Sequence, residues 1–286
     1  MHTKEKKVWK KNLYENEGFP DNYTHKTFLK DLKRNVQLRE VSLWDAMIGA
    51  GLFTQEICSI CLFSVTFVYL HNDWGDPQII FIYTSLITLI GFALYRLVYG
   101  DGIISAIGQD IRTVLIFLVF GYISSPVLHT LTDTVSTDTI YSMATFMMII
   151  HLIFFDYGIS AAIVSSSLSL NAAIFGSICL ASRLSSPFHA FVLMTIAVEY
   201  FTLFPKFRSI VSNQVPLIFI MVLLSIYFLY SLSMVCTVVF ILFIIFTNIM
   251  CPIWFLRWYR YKDNIYGPWD EAVVEETQDI EDLISY

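Results

Sequence analysis

Residues 215–253 read VPLIFIMVLLSIYFLYSLSMVCTVVFILFIIFTNIMCPI, a run without a single Asp, Glu, Lys, Arg or His. About 20 apolar residues in a helix cross a hydrocarbon layer of roughly 30 Å, so this run is long enough to cross twice. Its one polar break is Ser231-Leu232-Ser233, which divides it into Val215 to Leu232 and Met234 to Ile253. Reading the break as no break would give one crossing fewer and a seven-span chain.

Working outward, six more stretches meet the same criterion: Ala46 to Leu70, Gln78 to Tyr99, Thr113 to Leu128, Thr139 to Phe155, Ile159 to Ala181 and Phe188 to Phe204. Only helices and closed barrels satisfy every backbone group in lipid, and runs of this length are helical. Pro77, Pro187, Pro205, Pro216 and Pro252 fall at the proposed ends, where a missing amide hydrogen costs least. Pro126 lies inside the third span near its end. The sequence therefore predicts an all-α, polytopic transmembrane bundle of about eight spans. Composition agrees: of 286 residues, 56% are hydrophobic and 15% charged, with a mean hydropathy of +0.62. A water-soluble globule could not cover its surface with so few polar groups.

The charges sit at the ends of the chain. Ten of the 18 Lys and Arg precede Trp44, and seven of the 24 acids follow Trp269. With eight spans, Arg96, Arg112, Lys206, Arg208, Arg257, Arg260 and Lys262 join the N-terminal cations on one side, leaving Arg183 alone on the other. By the positive-inside rule both termini are expected in the cytosol. The domain reading is a basic N-terminal segment over residues 1–43, a helical domain over 44–256 and an acidic tail over 257–286. The first segment is too charged for a signal peptide, so no cleavage is expected. The sequon Asn22-Tyr23-Thr24 would then be cytosolic and unused.

Few residues carry chemistry. Glu56, His151 and Glu199 are expensive within spans, and each reads either as a packed, hydrogen-bonded group or as a pathway residue. No metal-ligand spacing joins them. Cys58-x-x-Cys61 lacks a thioredoxin-like context and reads as small packing residues. Residues 161–173, AAIVSSSLSLNAA, place small and hydroxyl side chains and Asn171 on the fifth span, which predicts close helix approach and a central position. The polar junction 124–139 offers Asp133 and Asp138 as helix caps or as partners for Arg183 across a non-cytosolic surface. Asp156 and Tyr157, at the cytosolic end of the fourth span, suit a hydroxyl-rich headgroup or a helix cap. Gly267-Pro268-Trp269 ahead of the acidic tail suggests a turn that holds Trp269 toward a cytosolic partner. There is no Walker A loop and no G-x-G-x-x-G after a strand, so no nucleotide, cofactor, metal or nucleic-acid partner is expected.

Taken together, several segments carry a resemblance: Leu13-Tyr14-Glu15, Phe19-Pro20-Asp21-Asn22-Tyr23, Ser125-Pro126-Val127-Leu128, residues 135–141, residues 151–158, residues 179–184 and Asn264 to Ala272. In this order they resemble the PIG-C family, the C-type subunits of phosphatidylinositol N-acetylglucosaminyltransferase, over nearly the whole chain. Two positions depart from the family pattern: Glu56, where an uncharged amide is expected, and the Tyr99 to Arg112 loop, which is shorter and less basic. The resemblance implies a multi-pass protein of the endoplasmic-reticulum membrane. It implies a complex that transfers N-acetylglucosamine from UDP-N-acetylglucosamine to phosphatidylinositol, the first step of glycosylphosphatidylinositol-anchor synthesis. The glycosyltransferase fold then belongs to PIG-A, with PIG-H, PIG-P, PIG-Q and PIG-Y as further partners. No catalytic residue is assigned to this chain, which would scaffold the transferase and present its lipid. Two other classes remain open: a transporter or scramblase using Glu56, His151 and Glu199, and an intramembrane lipid enzyme centred on His151 or Asp156.

Overall fold

The computed structural model describes residues 23, 33–34, 41–98, 103–132, 134–158, 164–262 and 265–266. Eight helices follow in chain order: α1 (Leu43–His71), α2 (Pro77–Val98), α3 (Ile103–Thr130), α4 (Thr137–Phe154), α5 (Ser166–Ala181), α6 (Pro187–Ile210), α7 (Gln214–Leu232) and α8 (Met234–Tyr259). Seven of them are long and apolar enough to cross a membrane. The exception is α5, with 16 residues; it begins at Ser166 and not near Ile159, because Ser165 caps it.

Caps explain where the helices begin. Ser42 accepts from Asp45 N–H while Asp45 answers the Ser42 N–H, a capping box that starts α1. Ser136, Ser165, Ser186 and Asn213 do the same work with one bond each for α4, α5, α6 and α7. Ser233 stands in extended conformation between α7 and α8, so the long apolar run is two helices.

Two prolines behave differently from expectation. Pro205 and Pro252 do not end their helices; α6 and α8 run past them. Each is preceded by a π-helical turn, Glu199–Leu203 in α6 and Phe246–Met250 in α8. A proline ring strikes the carbonyl four residues back and offers no N–H to it. Widening the preceding turn, with Phe204 N–H bonded to Glu199 O and Cys251 N–H to Phe246 O, lets the helix continue.

Side-chain registers set the directions. His151 meets Ser169 while the Ala144 carbonyl lies against Gly176, so α4 and α5 form an antiparallel hairpin. Ser125 with Pro187, and Gly121 with Phe191, make α3 and α6 antiparallel. Gln55 with Gln214 and Tyr69 with Ser231 make α1 and α7 parallel. Glu56 with His151 and Phe67 with Tyr141 make α1 and α4 antiparallel. Every pair agrees with a chain that alternates direction at each helix.

Separate from the helical unit Ser42–Leu256, strands β1 (Lys33–Arg34) and β2 (Ile265–Tyr266) pair antiparallel.

Lipid tails provide no hydrophobic drive between helices, so close packing and hydrogen bonds hold the bundle. The hub is α6, whose Ala190, Val192, Leu193, Ile196 and Ala197 have no exposed surface. In contrast α2 buries no residue fully. The fifth helix is central on one face only: Ala172, Ala173, Gly176 and Ser177 are buried, whereas Leu168, Asn171 and Phe175 face outward. A Cβ at Gly176 would lie 3.3 Å from the Ala144 carbonyl oxygen and 3.2 Å from Met148 Cε. Gly176→Val is therefore expected to wedge the α4–α5 hairpin and destabilise the protein by about 1–3 kcal/mol, seen as a lower thermal midpoint in mild detergent. An unchanged midpoint would show that the seam is looser than drawn.

Candidate functional site

The most polar buried cluster lies toward the end of the bundle where α1 begins, and Glu56 is its centre. Its carboxyl is fully enclosed, with His151 at 1% exposure and Arg208 at 6%. His151 Nε2–H donates to Glu56 Oε1 at 2.9 Å, and Arg208 Nη1 donates to Oε2 at 3.4 Å. The Nδ1 edge of His151 meets Ser169, whose hydroxyl lies at 2.8 Å and whose carbonyl oxygen lies at 3.0 Å. Phe155 and Phe201 pack edge-on against the imidazole, and Arg208 also stands over the Phe155 ring at 5.1 Å.

Around this core, amides join the remaining helices. Gln55 donates to Gln214 Oε1 at 3.3 Å, and Gln214 donates to the carbonyls of Arg208 and Val211. Asn248, in the π turn of α8, donates to Thr54 Oγ1 at 2.7 Å. One layer of polar contacts thus ties α1, α4, α5, α6, α7 and α8 together.

The layer also fixes the α4–α5 loop. Tyr157 donates its hydroxyl to the Leu152 carbonyl at 2.8 Å and packs against Phe53 and Phe155. Burial, with the Glu56 carboxylate second, pushes the Tyr157 hydroxyl well above the usual phenol range and keeps it a donor. Asp156 is exposed, and its Oδ1 accepts the N–H of Gly158, which sits at φ +80°, where only glycine is unstrained.

Helix lengths give this loop a depth. Phe154 ends α4 three residues past the level of Glu56, about 4.5 Å, whereas α1 runs on to Leu43, about 20 Å beyond that level. Counting about 30 Å of hydrocarbon from His71 places the boundary near Gly51. The Phe155-Asp156-Tyr157-Gly158 turn then stands at headgroup depth, recessed beside the projecting start of α1.

Other singled-out residues lie elsewhere. Glu199 does not join Glu56 and His151; it faces the hydroxyls of Thr84, Ser85 and Thr88 on α2. At the opposite end of the bundle, Arg183 donates to the carbonyls of Thr132 at 2.7 Å and Val135 at 2.6 Å. Among the described residues these loop carbonyls answer Arg183, and Asp138, one of its two expected acidic partners, is exposed in the first turn of α4. Asn171 is exposed on α5. Asp133 and Trp269 lie outside the described residues. The sequence reading missed Arg208, which it counted as a surface cation, together with Ser169, Gln55 and Gln214. The signal for a cation was Glu56 itself, which needed a partner, but nothing local named which one. Among the described residues no group of His, Cys, Asp and Glu could hold a metal ion.

A family profile, GPI2, described as phosphatidylinositol N-acetylglucosaminyltransferase, matches residues 9–270. The chain is 42% identical over 284 residues to the C-type subunit of phosphatidylinositol N-acetylglucosaminyltransferase from Bos taurus, covering 96% of this chain and 95% of that protein. It is 34% identical to a protein of Dictyostelium discoideum named as a putative C-type subunit of the same enzyme, over 93% of this chain and 79% of that protein. To the GPI2 subunit of Schizosaccharomyces pombe it is 29% identical, over 94% of this chain and 87% of that protein. No solved structure matches the chain significantly.

Removing one member of a buried charged pair strands the other, at a cost of about 3–5 kcal/mol. Arg208→Leu is expected to lower the thermal midpoint of the detergent-purified protein accordingly, and adding Glu56→Gln to recover at least about half of the loss. A double variant no more stable than Arg208→Leu alone would show that the pair is not coupled.

Proposed function

The chain belongs to the GPI2 family of phosphatidylinositol N-acetylglucosaminyltransferase, the family of its C-type subunits, and from that premise we propose that it is a non-catalytic membrane subunit of that enzyme. It organises the complex that transfers N-acetylglucosamine from UDP-N-acetylglucosamine to phosphatidylinositol in the endoplasmic-reticulum membrane, the first step of glycosylphosphatidylinositol-anchor biosynthesis. The observation that carries the reading is the commitment of Ser42–Leu256 to a bundle of apolar helices long enough to cross a membrane. On this reading the donor chemistry comes from a PIG-A-type subunit. PIG-H-, PIG-P-, PIG-Q- and PIG-Y-type subunits complete the assembly.

Orientation follows from charge. With both termini on one side, that side would carry 17 of the 18 Lys and Arg, and by the positive-inside rule we take it as cytosolic. The 155–158 turn then faces the cytosolic headgroup layer. Asp156 offers carboxylate oxygens to inositol hydroxyls there, and the buried layer beneath holds the turn in place. Holding a lipid acceptor beside a partner's active site removes translational freedom that a chance encounter must lose. The acidic tail with Trp269, and Asp133, Asp138 and Arg183 at the far end, are proposed partner contacts.

Two measurements test this. The tagged chain, purified from mild-detergent membranes, should bring down the other subunits together with N-acetylglucosaminyl-phosphatidylinositol synthesis that disappears when the PIG-A-type subunit is removed. Asp156→Ala should leave co-purification intact and reduce turnover about tenfold, the loss of one charge-assisted hydrogen bond. Full turnover in that variant would remove Asp156 from the lipid site.

A further inference from the structure

We propose that the outward stripe Leu168, Asn171 and Phe175 of α5 is the docking face for a transmembrane helix of another subunit, one that offers a hydrogen-bonding side chain to Asn171. The inference rests on the reading of this chain as a subunit of the transferase.

Spacing of three and then four residues puts these side chains on one side of α5. Leu168 and Phe175 are each 44% exposed, and Asn171 between them is exposed as well. By register along the hairpin, exposed Ile149 of α4 lies at the level of Asn171, so the amide is flanked there by apolar side chains, with exposed Ser167 one turn nearer the headgroups. Three buried or half-buried polar side chains of the bundle are answered from inside: Ser169 by His151, Ser177 by the Ala173 carbonyl, and Asn248 by Thr54. Among the described residues Asn171 has no such partner.

Depth makes that omission informative. Ser169 is level with His151 and Glu56, and Asn171 lies two residues further from the headgroups, about 10 Å inside the hydrocarbon boundary near Gly51. Lipid tails cannot bond an amide with one acceptor oxygen and two donor hydrogens, and water is scarce there. α5 is also the shortest of the eight helices, about 24 Å for 16 residues, less than the hydrocarbon layer. A neighbouring helix against its outer face both shields the short crossing and pairs the amide. Its chemistry is an apolar helix with one amide, hydroxyl or carboxyl side chain at matching depth, flanked by residues that pack between Leu168 and Phe175.

The test uses the full chain co-expressed with the other subunits. Asn171 is replaced by the photo-crosslinker p-benzoylphenylalanine, with the same replacement at Val239, an exposed position of α8, for comparison. In parallel, Asn171→Leu and Asn171→Gln are carried through purification of the complex. The expected result is a crosslink from position 171, and not from 239, to one identified membrane-spanning subunit of the transferase. Asn171→Leu should reduce recovery of that same subunit by about threefold to tenfold, while Asn171→Gln retains it. Crosslinks to lipid alone, with recovery unchanged in Asn171→Leu, would overturn the proposal and leave the subunit reading standing. A wild-type chain that brings down no transferase subunit would sink that reading and this one with it.

Discussion

A carboxyl group enclosed by helices has no water to bond, so whatever answers Glu56 has to come from other parts of the chain. His151 from α4 and Arg208 from α6 supply the donors, and Ser169 from α5 steadies the imidazole. In lipid, where apolar side chains gain little by leaving one another's company, such directional contacts decide which helix stands beside which. Shifting any one of the four helices by a residue would leave a buried polar atom unmatched. The register of the bundle therefore follows from one layer of side chains more than from its apolar surface.

The same layer shapes the surface above it. Because His151 must reach Glu56, α4 is held at a level where its last residue, Phe154, stops about 3 Å short of the hydrocarbon boundary near Gly51. α1 has no such restraint and projects further from its capping box at Ser42. The result is a recess whose floor is the Phe155-Asp156-Tyr157-Gly158 turn, fixed by the Tyr157 hydroxyl and the left-handed Gly158. A turn held at headgroup depth is a different object from a free loop in water. On the proposed function it would meet lipid headgroups without having to be ordered first, which is what presenting an acceptor requires.

Much of this was legible in the sequence, and what escaped has physical reasons. Hydropathy located every helix, and Ser233 parts α7 from α8 where the sequence breaks. Glu56 and His151 were flagged by cost alone, because a polar group in an apolar run is visible locally. Their contact was not, since it joins residues 95 positions apart through a register no periodicity encodes. Arg208 was hidden for the same reason: near the end of a span, a cation reads as an anchor whether it points to headgroups or inward. Pro205 and Pro252 misled because a proline marks a helix end only when the preceding turn stays α-helical; the π turns removed that condition. The outward face of α5 was misread because its small and hydroxyl residues serve the seam with α4 on one side only.

The family resemblance leads one to expect an amide at position 56, and the network's geometry shows how either residue fits. A carboxylate accepts at both oxygens, so His151 carries its proton on Nε2 and its bare Nδ1 accepts the Ser169 hydroxyl at 2.8 Å. An amide can accept from Arg208 with its oxygen but must donate toward His151 with its nitrogen. The imidazole then has to present a bare Nε2 and move its proton to Nδ1, where the Ser169 carbonyl waits at 3.0 Å. The displaced Ser169 hydroxyl turns to the His151 carbonyl, also at 3.0 Å. A single serine, able to offer its hydroxyl to either of two acceptors, makes the layer indifferent to the tautomer. That freedom separates the helix register, which both residues preserve, from the buried negative charge opposite Arg208, which only the glutamate can bring.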